Sequence, residues 1–196
     1  MTAEPSRAIP PAISAALSGT ADISLCGDVD KALLDRFLTD LDKARGKDGD
    51  VVLELTTPGG DPELTRRIVL EIDRARASLA DNFLFLGKAV VYSAGVSIMA
   101  AFPREQRFLT REAMLLVHGR QLDRTVTLSG PLRTGIPTIE ALLAEMRTGV
   151  ELEEVGFRRL IEGSSVTFDE VVRKATSSWY VTAEEAFERG LVGALV

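Results

Sequence analysis

The sequence predicts an α/β fold: a core of parallel strands, each followed by a helix, with a further helical piece standing out from it. Three observations carry this expectation. Asp22 to Gly27 and Val51 to Leu55 read as strands on either side of a helical stripe, and a strand–helix–strand order implies a parallel pair with a crossover helix. Two more apolar runs follow, Phe83 to Val91 and Met114 to Val117, and each delivers a chemically capable side chain at its carboxyl end. From Thr138 onward a long apolar stripe extends beyond what the predicted core needs.

Taken in order, residues 1–20 read as a flexible N-terminal arm, with adjacent prolines at Pro10 and Pro11. Residues 21–196 form the domain. Asp28 or Asp30 can cap the first core helix, whose apolar positions are Leu33, Leu34, Phe37, Leu38 and Leu41. The polar run Gly46 to Asp50 closes it. The second strand runs into Thr56-Thr57-Pro58-Gly59-Gly60-Asp61-Pro62, where Asp61 and Pro62 start a helix burying Leu64, Ile68, Ile72, Ala75 and Leu79. Phe83 to Leu86 and Lys88 to Val91 form one strand, or two broken at Gly87. Small residues from Ala94 to Ala101 then form a helix. Arg107 to Thr110 and Met114 to Val117 are short strands. Residues 120–165 form the projecting piece: a polar stretch containing the β-prone Thr125 to Leu128, suited to a strand edge along a substrate groove, then the helix from Thr138. Capping boxes at Thr167…Glu170 and Thr182…Glu185 mark two last helices, and Leu191 to Val196 forms a final strand.

Composition excludes several classes. The chain has 196 residues, 45% of them hydrophobic, enough for a sizeable core. A net charge of −6 argues against a nucleic-acid partner. The single cysteine, Cys26, excludes an intramolecular disulfide and a CxxC metal site, so the cytoplasm is the default compartment. The apolar runs are too short for a membrane span, and the N-terminus makes a poor signal peptide.

The chemistry converges on a few residues. Ser93 sits at a strand-to-helix turn, which lifts a hydroxyl out of the sheet beside the N–H groups of the new helix. His118 is the one histidine, and the one neutral side chain able to take a serine proton near pH 7. Pro58-Gly59-Gly60 reads first as a tight turn and, more sharply, as an oxyanion site at the carboxyl edge of the sheet, where open α/β folds bind ligands.

These pieces together resemble the ClpP family of serine peptidases, within the superfamily that includes crotonases and signal-peptide peptidase A. The matching stretches are Ile23 to Asp30, Thr57-Pro58-Gly59-Gly60, Tyr92-Ser93-Ala94-Gly95, Arg107-Phe108-Leu109-Thr110, Val117-His118, and Thr182 to Ala186 through Gly190-Leu191-Val192. The resemblance implies a repeated β-β-α core with a projecting helical handle. It implies Ser93 as nucleophile, His118 as general base, and the N–H groups of Gly60 and Ala94 as oxyanion hole, with no cofactor. It also implies a polypeptide substrate and homo-oligomeric rings, often two stacked, that enclose the Ser93 sites.

Two departures stand out. Where the family has an aspartate ahead of the position of Ala183, this chain has Ser178. A hydroxyl there can accept from an imidazole N–H but cannot supply the charge that stabilises imidazolium. Asp169 and Glu170 lie nearby and read as helix-start residues. The family's charged arm, which helps engage an ATP-driven unfoldase, does not appear in residues 1–22. With no phosphate-binding Gly-rich loop in the chain, any such ATPase is a separate protein. Three function classes follow: a ClpP-type serine endopeptidase, a catalytically weak scaffold subunit, and a crotonase-like acyl-CoA enzyme.

Overall fold

A run of half-polar and fully apolar strands, interleaved with amphipathic helices, folds here into one sheet with helices on both faces. The structure, a computed structural model, describes residues 9–79 and 82–196. The elements are α1 (Pro11–Ser18), β1 (Ile23–Cys26), α2 (Lys31–Ala44), β2 (Val51–Thr57), α3 (Pro62–Arg76), β3 (Phe83–Tyr92), α4 (Ala94–Ala100), β4 (Arg107–Leu109), β5 (Met114–Val117), α5 (Leu132–Ile161), α6 (Phe168–Ala175), β6 (Trp179–Thr182), α7 (Ala183–Glu188) and β7 (Ala194–Leu195). The main path of the sheet is β1-β2-β3-β4-β7, all parallel, and β5 and β6 branch from β3.

The branch positions the site. β3 is one long strand, not two. Its first half pairs with β4 (Phe85 with Arg107) and its second half with β5 (Val90 with Met114). Between them Ala89 takes φ 51°, and the register against β2 slips after Leu55. That bulge bends the strand and turns its end, Tyr92, toward β5. β6 then adds antiparallel to β5, with Val117 opposite Trp179. Trp179 is buried and lies 4.3 Å from the Lys174 ammonium.

The caps form where the sequence places them. Asp30 accepts from the Leu33 N–H, Asp61 from the Glu63 and Leu64 N–H groups, Thr167 from Glu170 and Thr182 from Glu185. The inward faces of α2 and α3 bury Leu33, Phe37, Leu41, Ile68, Ile72 and Ala75 in a core shared with α4 and the strands.

Three expectations are corrected. The arm is not loose over its second half: Pro11–Ser18 is helical, and Leu17 packs with Val52, Leu84, Leu86 and Phe108 on the sheet face opposite the main core. That face carries apolar side chains because β2 and β3 are buried on both sides, so something must cover it. The part of the arm before residue 9 lies outside the described residues. Thr125 to Leu128 forms no strand. This segment instead runs beside α5, tied by an Arg124–Glu145 ion pair at 2.5 Å. Finally, α5 begins at Leu132 rather than Thr138 and carries Pro137 inside it, one turn beyond the first-turn positions where a missing N–H costs nothing, so the helix runs through the proline with one intrahelical hydrogen bond fewer.

α5 does stand out. Leu132, Ile136, Ile139, Leu143, Met146 and Val150 are exposed, and among its residues only Phe157 and Leu160, near the C-terminus, are fully buried. Below that anchor lies Arg107, 2% exposed, whose guanidinium donates to the carbonyls of Ala100, Phe102, Arg159, Leu160 and Leu191. It thereby ties the ends of α4 and α5 to the turn before β7. Burial pushes its pKa down to about 10, still charged at neutral pH. Among the described residues no helix is long and apolar enough to cross a membrane.

Candidate active site

The site is assembled from the carboxyl ends of β2, β3 and β5. β2 ends in Thr57, fully buried, whose hydroxyl accepts from the Gly59 N–H at 3.1 Å and donates to the Gly59 carbonyl at 3.2 Å. This side chain folds Pro58-Gly59-Gly60 into a fixed turn. Gly59 has φ +120° and Gly60 φ +148°, conformations that disfavour any residue with a Cβ. A bridge to Val29 uses the Gly59 carbonyl as acceptor and the Asp61 N–H as donor, which leaves the Gly60 N–H outside that ladder.

Ser93 follows β3 with φ 53° and ψ −110°. A non-glycine residue there costs roughly 1–3 kcal/mol and persists only where the surroundings fix it. They do so here: the Ser93 N–H donates to the Leu116 carbonyl on β5 at 2.8 Å, and its own carbonyl accepts from Val96 in α4. The elbow packs against the glycine turn so closely that a Cβ on Gly59 would lie 2.9 Å from the Ser93 Cβ. Ala94, the first residue of α4, is buried beside it.

His118 directly follows β5. Its Nδ1 lies 2.7 Å from the Gly119 carbonyl oxygen. A carbonyl can only accept, so Nδ1 carries the proton and Nε2 is left as the basic nitrogen. Ser93, Ala94, Gly60 and His118 all line one cleft of about 450 Å³ between α3 and the C-terminal half of α5. Its walls include Val69, Leu70, Val96, Val155 and Phe157, and its polar rim includes Arg66, Arg120 and Glu153.

Ser178 is not brought into this arrangement by a hydrogen bond. The β5–β6 pairing ends at Val117 and Trp179, one step short of His118 and Ser178. Ser178 is exposed at φ 61°, and the imidazole bonds to the backbone of Gly119 instead. Glu170 is engaged elsewhere: its carboxylate accepts from Arg189 at 2.7 Å and lies 3.1 Å from Lys174, and that hydrogen bonding holds its pKa down at about 2. Sequence reasoning did not assign roles to Thr57, Arg107 or Glu153. Thr57 had a local signal, since it opens the glycine turn; the other two act across distances the sequence does not record.

No family model matches the sequence, and no curated protein matches it. Among solved structures the chain is similar to a mutant of ClpP1 from Listeria monocytogenes, with a TM-score of 0.68 over 89% of this chain and 91% of that one, at 15% identity. At that identity the likeness shows the fold, which is ClpP-like.

Proposed function

We propose that the protein is a serine endopeptidase of ClpP type, acting on unfolded or short polypeptides through an acyl-enzyme at Ser93. The observation that carries this reading is the shared cleft: a strained serine elbow, a glycine turn with a free-standing N–H, and an imidazole whose tautomer leaves Nε2 basic. In this reading the Ser93 Oγ attacks the peptide carbonyl while His118 Nε2 takes its proton. The oxyanion is held by the N–H groups of Gly60 and Ala94. Collapse expels the amine with the proton from His118, and water then hydrolyses the ester by the same route in reverse. The apolar wall from Val69 to Phe157 suits apolar substrate side chains.

Rings of this chain, joined through the exposed stripe of α5, would enclose the Ser93 sites and spare folded proteins, which suits a cytoplasmic peptidase. An ATP-driven unfoldase would be a separate partner.

The test is labelling with a fluorophosphonate. Ser93→Ala should abolish it and His118→Ala should nearly do so, with both variants folded, since neither removes a large apolar group. Labelling that survives Ser93→Ala would show that the nucleophile is another residue. A folded wild-type chain that takes no probe would favour the scaffold reading.

A further inference from the structure

We infer that Glu153 is a positioning residue for His118, acting through the single peptide group that lies between them. The inference rests on Ser93 and His118 being nucleophile and base.

The Gly119 carbonyl and the Arg120 N–H are two ends of one amide. The carbonyl accepts from His118 Nδ1 at 2.7 Å, and the N–H donates to Glu153 Oε2. Hydrogen bonds at both ends of an amide polarise one another. A carboxylate on the N–H end draws electron density toward the carbonyl oxygen and makes it a stronger acceptor for the imidazole N–H. The charge that Ser178 cannot supply therefore reaches the ring from α5, one peptide removed.

The surroundings leave Glu153 available for this task. Glu63 on α3 takes the Arg120 guanidinium at 2.6 Å and lies 3.7 Å from Arg66. Arg159, on α5 itself, pairs with Asp73 of α3 at 3.1 Å. Each of these cations thus pairs with a carboxylate other than Glu153, Arg66 and Arg120 sharing Glu63, and among the described residues the partner of the Glu153 carboxylate is the Arg120 N–H. Gly119 makes the approach possible: a Cβ there would lie 3.0 Å from Glu153 Oε2. Glu153 is half-buried, on the turn of α5 just before Phe157 and Leu160 anchor that helix on the core.

In the reaction one proton moves, from Ser93 Oγ to His118 Nε2. The Nδ1 proton stays on the ring, held toward the polarised Gly119 carbonyl, and none passes to Glu153.

The experiment reads the His118 tautomer by nitrogen-15 NMR and the fluorophosphonate labelling rate by time course. The chain has one histidine, so the ring signals need no assignment. Glu153→Gln keeps the size and an acceptor but removes the charge. It should keep the wild-type melting temperature, lower the labelling rate about 10- to 100-fold, the loss that removing the carboxylate behind a metal-ligating histidine causes, and mix the Nε2–H tautomer into the spectrum. With a small peptide ester, kcat should fall and KM should stay. Glu153→Asp should recover part of the rate. Gly119→Ala, whose Cβ would lie 3.0 Å from Glu153 Oε2 and make the carboxylate give by a few tenths of an ångström while keeping its charge, should lower the rate in the same direction even if Glu153→Gln folds poorly. Wild-type tautomer and wild-type rate in Glu153→Gln and Gly119→Ala would overturn the inference and leave Glu153 as a tie between the loop and α5. If wild type takes no probe at Ser93, the peptidase reading fails, while the tautomer of the variants still decides what Glu153 does.

Discussion

Replacing Gly59 by alanine should disable Ser93 without touching it. The added Cβ would lie 2.9 Å from the Ser93 Cβ and 3.4 Å from its Oγ. Unbonded carbons settle at about 3.5–4.0 Å, so one partner must give by roughly 0.6–1.1 Å. Neither is free to do so cheaply. The Thr57 hydroxyl grips Gly59 at both its N–H and its carbonyl, and Ser93 is pinned to Leu116. A reacting group misplaced by about 1 Å loses on the order of 100-fold in rate. The assay is the pseudo-first-order rate of fluorophosphonate labelling, with thermal unfolding alongside. Alanine at φ +120° also strains the backbone, by roughly 1–3 kcal/mol, so stability must be separated from placement. Gly49→Ala does that: φ there is +91°, and nothing lies within 4 Å of the added Cβ. Both variants should lose stability, and only Gly59→Ala should lose rate. Labelling of folded Gly59→Ala at the wild-type rate would refute the packing argument, and with it the claim that the glycine turn sets the position of Ser93.

Glu170→Gln should destabilise the protein in a pH-dependent way. Hydrogen bonds from Arg189 and Lys174 lower the folded-state pKa from about 4.5 to about 2, so the stabilisation is fully present above about 4.5 and is lost as pH falls through 2. Urea unfolding of wild type and variant should show a constant gap near neutrality that closes in acid; a gap independent of pH would contradict the assignment. Leu143→Glu together with Met146→Glu should break assembly. Both side chains are exposed on the projecting part of α5, and each would contribute roughly 1.5–3 kcal/mol when buried against another copy. Sedimentation at micromolar concentration should give a multiple of 21.2 kDa for wild type and a smaller species for the variant; a wild-type monomer would end the ring proposal.

Elements whose reason is local were legible. Asp61-Pro62, Thr167 and Thr182 announce helix starts because a cap is satisfied within a few residues. The stripe of α2 and the apolar run of β2 read directly as an amphipathic helix and a buried strand. β6 was not legible: Trp179 to Thr182 is short and follows a serine pair, and what makes it a strand is the open edge of β5. α1 was missed for a similar reason. Its prolines and small residues look like a tail, and only the uncovered face of β2, β3 and β4 gives Leu17 somewhere to go.

The site divides along the same line. Ser93, Gly60 and His118 each follow a strand, so the sequence places them on one edge of a parallel sheet before any distance is known. Ser178 followed from resemblance alone, and resemblance fixes a position in the chain but not the partner of a ring nitrogen. The imidazole takes the nearest acceptor that geometry offers, the carbonyl of the next residue. Glu153 had no signal at all. On a long helix rich in glutamate it reads as a solvated side chain, and nothing in its neighbours marks it. It reaches the Arg120 N–H because Phe157 and Leu160, one and two turns further on, bury themselves in the core and set the rotation of α5. A packing decision made by two apolar residues thus selects which carboxylate meets the Arg120 N–H, and under the proposed peptidase reading a substitution that let α5 rotate would alter the chemistry at Ser93 without changing Ser93, His118 or the glycine turn.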